Sequence, residues 1–339
     1  MKVIQVGIGN MGGAWLQAVL PSTEVQYAGF VEINDEIAAA QAEKYDLDRS
    51  LIFKTLEEAL ASVHADAVID VTPPRFHLPI ALAAMDAGLH VMTEKPLAES
   101  LEAAAAIARK SQETGLVHMV AQNRRYSAAV QTVKRLLHTG EFGRLASVTG
   151  THFRLLNLVN NFRTTMAYPL VVDMSIHHFD MLRCLLNSDP LTIFGRTWNP
   201  PWSSFVHDAS ASVLIEFQNR VVVSYNASWA STGAETSFDG DWRFECEHGV
   251  IVMKDTKVYV GALGDRRTEE TDDMILTPYP LDDMPLHNQT YLLHEFYEAV
   301  TLGKQPATTS ADNLKSLAMV FDTIKSFETG QVVVCGVMG

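Results

Sequence analysis

The sequence is poor in cysteine and in basic residues, and it has no long apolar run. Cys184, Cys246 and Cys335 are the three cysteines in 339 residues. They are odd in number and scattered, with no CxxC pair. This excludes a disulfide framework and a zinc-finger spacing, and it fits a reducing cytoplasm. Lysine and arginine number 26 against 40 aspartates and glutamates, a net charge of −14. That balance disfavours a general nucleic-acid binder, whose phosphate contacts need a basic surface. It still permits an anionic ligand, because local backbone dipoles outweigh a distant net charge. No apolar stretch approaches the roughly 18 residues of a membrane span. The opening MKVIQVGIGNMGG enters a strand at once, without a signal-peptide cleavage pattern. There are no repeats and no low-complexity segment. What is present is a composition 47% hydrophobic, ample for a packed core, in a chain long enough for two domains.

Strand and helix patterns alternate through the first 125 residues. Strands are expected at 2–7, 25–31, 67–71, 89–93 and 116–121, and helices at 10–20, 34–45, 56–62, 77–88 and 99–114. Short apolar strands separated by helices predict an α/β fold, a doubly wound parallel sheet covered on both faces. After a helix at 127–139 the pattern changes. Residues 145–155, 208–217 and 220–230 alternate apolar and polar, 241–246 and 249–254 add two more candidate strands, and a helix at 171–187 interrupts them. Alternation marks a sheet with one open face, so the second domain is expected to be α+β with a mostly antiparallel sheet. A final helix is expected at 311–329, capped by Ser310 and ended by Gly330. The expected division is 1–125, 126–308, and a tail 309–339 that packs back toward the first domain.

Gly7, Gly9 and Gly12 follow the first strand and open the first helix. Gly7 allows the sharp turn, Gly9 lets the backbone touch a pyrophosphate, and Gly12 lets helix and strand pack closely. The helix N-terminus, with Asn10 and Met11 in its first turn, offers free N–H groups and a partial positive charge to phosphate. Glu32 ends the second strand, 20 residues after Gly12. A carboxylate there accepts hydrogen bonds from ribose hydroxyls and repels a 2′-phosphate. Ile33-Asn34-Asp35-Glu36 supplies no Arg or Lys to hold one. The cofactor expected is NAD rather than NADP.

Two further stretches hold chemistry. TEKPL at 93–97 follows a strand's C-terminal end, where sites sit in open α/β sheets, and Pro96 biases Lys95 toward an extended conformation. A solvated loop lysine is the alternative. In DMSIHHFD at 173–180, Asp173 and His177 are four apart and share a face of an α-helix. The carboxylate can orient the histidine and stabilise its protonated form. A purely structural polar helix is the alternative. A metal site is not expected, because neighbours on one helix cannot all converge on one ion.

These residues resemble the Gfo/Idh/MocA oxidoreductases. The resemblance runs almost end to end. It rests on GIGNMG at 7–12, VTPPRFH at 71–77, EKPLA at 94–98, NRRY at 123–126, DMSIHHFD, and a closing helix in 310–333. It implies a Rossmann domain joined to an open-faced α+β domain, with the site between the two. It implies that Lys95, Asp173 and His177 act on a substrate hydroxyl, and that Thr72, Pro73, His77, Glu94 and Asn123 join the cofactor set. It also implies a sugar or polyol substrate and a homodimer or homotetramer formed through the open sheet. One departure is MAYPLVVD at 166–173, where many relatives carry a glycine-rich run; no relative's substrate is carried over on that account. Arg154, Asn157, Arg163 and His178 are pocket candidates, with solvated loop and strand-end side chains as the alternative. Two other readings on this scaffold are an enzyme that retains NAD for a net elimination, hydrolysis or epimerisation, and a non-catalytic NAD-binding regulator.

Overall fold

A computed structural model of the chain describes residues 1–158, 161–263 and 275–336. Parts of the expected second domain and tail, 159–160, 264–274 and 337–339, lie outside the described residues. The chain forms two compact units, Met1–Asn123 with Leu286–Leu317, and Arg124–Pro285 with Ala318–Gly339.

In the first unit, β1 (Lys2–Val6), β2 (Gln26–Val31), β3 (Ile52–Phe53), β4 (Ala67–Asp70), β5 (His90–Thr93) and β6 (His118–Val120) form one sheet in the order β3-β2-β1-β4-β5-β6. Every pairing in it is parallel. The helices α1 (Asn10–Val19), α2 (Asp35–Tyr45), α3 (Leu56–Ser62), α4 (His77–Asp86) and α5 (Leu101–Thr114) make the crossovers. Val3, Ile4, Val6, Val68, Ile69, Val91 and Met92 are buried because both faces are covered. The strand order reverses between β1 and β4, the place where such sheets leave a crevice beyond their C-terminal strand ends.

The second unit carries a nine-stranded sheet. Its strands are β7 (Leu145–Phe153), β8 (Pro190–Trp198), β9 (Ser210–Phe217), β10 (Val222–Ser228), β11 (Asp241–Cys246), β12 (Gly249–Lys254), β13 (Lys257–Ala262), β14 (Thr277–Tyr279) and β15 (Val333–Val334). All pairings are antiparallel except β7 with β10. In β9, Ala211, Val213, Ile215 and Phe217 are buried while Leu214 is exposed, the alternation of a sheet with one open face. The helices of this unit include α6 (Ala128–His138) and α7 (Ile176–Leu186). Nearly every residue of α7 is buried. Within it, Asp180 closes a two-point fork with Arg125, 2.8 Å from Nε and 2.6 Å from Nη2, both side chains buried. Asp180 is therefore part of the interior of this unit.

Two boundaries differ from expectation. Residues 286–308 belong with the first unit, because α8 (Asn288–Leu302) packs against α1 and His294 Nδ1 lies 2.9 Å from the Glu24 carboxylate. The tail is divided: residues 309–317 stay with the first unit, where Thr309 bridges Met119 of β6. From Ala318 onward α9 (Ser310–Thr329) belongs to the second, where β15 pairs with β8 and Ser326 Oγ accepts from Gly195 N–H at 3.0 Å. The cap of α9 is Thr309 rather than Ser310, its hydroxyl accepting from Asp312 N–H at 3.2 Å.

His118 on β6 is buried, with Nε2 3.1 Å from Thr93 Oγ1. Burial, helped by the charge of His77, pushes its pKa down to about 3. The folded protein keeps this ring neutral while the unfolded chain protonates it below about 6.5. Its contribution is thus complete above that value and lost as pH falls. Between pH 7 and pH 5 the wild-type protein should lose about 2 kcal/mol more stability than His118→Gln. Urea unfolding of both proteins at the two pH values checks this, and parallel losses would contradict it.

Candidate active site

The glycine turn is dictated by contact distances. A Cβ on Gly12 would lie 2.6 Å from the Gly7 carbonyl oxygen, a clash with backbone that nothing can relieve. Gly7 has φ +88°, and a Cβ there would press on Val71 backbone at 3.1 Å. Gly9 differs, for a Cβ there would meet nothing within 4 Å. The space beside it is open, as a close-approaching pyrophosphate requires. Gly9 is also the N-cap of α1 and provides no side-chain cap. The first-turn amides of α1, with exposed Asn10 and Met11, are left for an anion.

A cavity of about 500 Å³ adjoins this turn. Gly7, Gly9, Glu32, Thr72 and Pro73 all line it, so five of the expected cofactor residues come together. Glu32 is buried, and its carboxylate accepts from Ile8 N–H (3.2 Å) and Asn34 N–H (3.0 Å), which fixes it in the wall. The residues fit a dinucleotide: a side-chain-free phosphate turn, an uncapped helix start, and a carboxylate for ribose hydroxyls. Sequence reasoning missed two cations in the same wall, Lys54 and Arg75. Lys54 Nζ is held by Asp35 Oδ1 at 2.5 Å and by the carbonyl oxygens of Ile33 and Glu32 at 3.3 and 3.4 Å. The Arg75 guanidinium lies over the Phe76 ring, 4.6 Å from its centroid. Both come from later elements, so no inspection of residues 33–36 finds them.

His77 and Glu94 are not among the residues lining that cavity. His77 is fully buried and ties two loops together, Nε2 lying 2.7 Å from the Thr72 carbonyl and Nδ1 3.0 Å from that of Pro96. Glu94 accepts from Trp15 Nε1 at 2.8 Å and from Lys95 N–H at 3.1 Å. Burial raises its pKa, against the lowering effect of the Trp15 bond and the Lys95 charge. Lys95 is half-buried and joined to Pro96 by a cis peptide. Through Glu94 and Trp15 its backbone is anchored to α1. Asn123 opens a 3₁₀ turn, Asn123–Tyr126, at the end of the first unit's first segment.

In the second unit, Leu170–Ser175 is a π-helix and α7 begins only at Ile176. The expectation of one α-helical face for Asp173 and His177 is corrected accordingly. One helical segment carries both residues, but a wider turn carries Asp173. Such π turns recur at functional sites. His177 is 7% exposed, in the first turn of α7. Asp173 accepts from Arg163 Nε at 2.6 Å, so two of the expected residues meet directly. Arg154 Nε lies 3.1 Å from Glu235, and Asn157 is exposed. His178 is a core residue rather than a pocket wall, 1% exposed with Nδ1 2.8 Å from Tyr225 Oη. Burial, with the charge of the nearby His152, holds its pKa well below the usual histidine value. His152, also buried, is pushed down to about 4 by burial and then by Arg154 and Arg124. Among the described residues no group of three or more His, Cys, Asp and Glu side chains is placed to hold a metal ion.

Comparison with known proteins bears on the family and the fold. Residues 1–122 match the model of an oxidoreductase family with an NAD-binding Rossmann fold, and residues 130–252 match the GFO/IDH/MocA C-terminal domain. A 4-carboxy-2-hydroxymuconate-6-semialdehyde dehydrogenase from a Sphingobium species is 37% identical, over 92% of this chain and 94% of its own. A 1,5-anhydro-D-fructose reductase from Ensifer adhaerens is 25% identical, over 96% of both chains. A crystal structure of an oxidoreductase from Agrobacterium radiobacter, in complex with NAD+, L-tartaric acid and magnesium, superposes with a TM-score of 0.88 at 20% identity, covering 100% of this chain and 99% of that one. With both halves matched, and a relative of that identity spanning nearly the whole length, the chain belongs to the Gfo/Idh/MocA family of oxidoreductases.

Proposed function

We propose that this oxidoreductase, which acts on CH–OH groups and binds a nicotinamide cofactor, uses NAD to oxidise a secondary alcohol of a sugar or polyol-like substrate. The cavity beside Gly9, with Glu32 in its wall, carries this reading. Bound NAD supplies the hydride acceptor at nicotinamide C4. The protein's own residues do the rest. His177 takes the hydroxyl proton as the carbinol hydrogen leaves as hydride and the carbon becomes a carbonyl. Asp173 orients His177 and stabilises the imidazolium that results. Lys95 stabilises oxyanion character on the reacting oxygen. The named substrates of the relatives span an anhydro sugar and a carboxylated semialdehyde. Family membership alone therefore does not set the substrate's charge.

The reading favours NAD over NADP because the Glu32 carboxylate in the cavity wall would repel a 2′-phosphate. The charge of Lys54 is meanwhile held by Asp35. Calorimetric titration should show NAD binding more tightly than NADP. Gly9→Ala should weaken NAD about tenfold or more while the melting temperature stays within a few degrees, because the space it fills is open in the protein. Unchanged NAD affinity in Gly9→Ala, or tighter binding of NADP, would contradict the cofactor assignment.

Lys95→Met and His177→Asn should each lower kcat by about 10²- to 10⁴-fold while NAD still binds. The assay is NAD reduction over inositols, aldoses, sugar acids and amino sugars. Near-normal turnover in both variants would remove these residues from the mechanism.

The open face of the second sheet exposes Trp198, Leu214 and Val222, whose registers place them on one side. This supports a homo-oligomer formed through that face. Sedimentation equilibrium should give a dimer or tetramer, and Leu214→Arg should dissociate it; a monomeric wild-type protein would refute this.

A further inference from the structure

Arg163 sits on the 3₁₀ turn Phe162–Thr165, shortly before the π-helical turn of Asp173. Its backbone N–H donates to Asn161 Oδ1 at 3.0 Å, and its guanidinium lies over the Phe162 ring, 4.6 Å from the centroid. Its Nε donates to Asp173 Oδ2 at 2.6 Å. The two side chains are 31% and 20% exposed, so the pair is mostly shielded yet reachable.

This guanidinium is used differently from its neighbours. Arg125 closes a full fork on Asp180. Arg124 directs a terminal nitrogen, Nη1, at Asp239, 3.1 Å away. Arg163 engages Asp173 through Nε, and its Nη1 and Nη2 donate to no described residue. The two Nη groups form a planar edge that matches a carboxylate with two parallel N–H bonds.

We propose that this edge of Arg163 binds a carboxylate of the substrate, making the substrate class a hydroxy acid, such as a uronic or aldonic acid, rather than a neutral polyol. The inference rests on the assignment of Asp173 and His177 to the reacting hydroxyl. Arg163 touches Asp173 directly, so the carboxylate it holds lies close to the alcohol that Asp173 and His177 address. The charges support one carboxylate rather than a phosphate. With Lys95 proposed to act on the same substrate, its charge and that of Arg163 are balanced by Asp173 and a single substrate carboxylate. A phosphate dianion would leave the group net negative.

NAD reduction is measured with matched pairs, glucose against glucuronate and galactose against galacturonate, for the wild-type protein, Arg163→Gln and Arg163→Lys. In the wild-type protein kcat/KM should be about 10- to 100-fold higher for the acid of a pair, the scale of a charge-assisted hydrogen bond. In Arg163→Gln that preference should fall toward one, through a higher KM for the acid. Arg163→Lys, with charge but no planar edge, should recover part of it. A wild-type preference for the neutral sugars would overturn the inference and leave the roles of Asp173 and His177 standing. An equal loss of kcat on acid and sugar, with the preference kept, would also overturn it, by showing that Arg163 serves only to hold Asp173. If neither class reduces NAD, the dehydrogenase reading fails with these substrates. Calorimetric titration of glucuronate into NADH-loaded protein then decides separately: binding weakened in Arg163→Gln supports the inference, and no binding overturns it.

Discussion

No side chain fits at Gly12, and much of the first unit depends on that. The 2.6 Å separation between a would-be Cβ and the Gly7 carbonyl oxygen lets α1 start directly against the end of β1. That close start points the first-turn amides at the place where β1 and β4 part. It also seats Trp15 where its indole N–H reaches Glu94, 79 residues further along the chain. Glu94 in turn accepts the Lys95 backbone N–H. His77 adds a second tie, between the Thr72 and Pro96 carbonyls. One steric exclusion thus sets both the phosphate turn and the framework beneath the lysine assigned to chemistry. Rigid support of this kind is what a positioned charge needs, because small displacements weaken it steeply.

The second unit solves a different problem, namely keeping charged groups in a mostly buried helix. Asp180 is satisfied by the closed fork of Arg125. His178 stays neutral against Tyr225, as burial dictates. Asp173 lies one step outside that core, on the π-helical turn, and accepts from Arg163 through Nε. Within this short stretch Asp180 and His178 serve the interior of the unit, while Asp173 and His177 are the pair proposed for chemistry.

Local rules made the first half of the fold legible. The glycine spacing, the strand before it and Glu32 after it could all be read, because each depends on nearby residues only. Lys54 and Arg75 were invisible beside Glu32, because β3 and the turn before α4 carry them into the cavity wall only after the sheet assembles. The helix α8 had a signal that went unused: Leu292, Leu293, Phe296 and Ala299 recur at helical spacing and are buried. Its start is capped by His287, outside the usual Ser, Thr, Asp and Asn set. β3 and β15, two residues each, are too short to alternate. The π-helical turn leaves no mark on residue spacing, so Asp173 and His177 looked like an ordinary helical pair. The contact of Arg163 with Asp173 joins two separate turns, which no periodicity encodes.

The central claim is that the carbinol hydrogen passes directly to the nicotinamide of the bound cofactor. The most direct measurement follows that hydrogen. A sugar or sugar acid that supports NADH formation is prepared with deuterium at its carbinol carbons and turned over with NAD, and the NADH is analysed by mass spectrometry. The account predicts NADH carrying one deuterium at C4. Oxidised substrate accompanied by unlabelled NADH would contradict it.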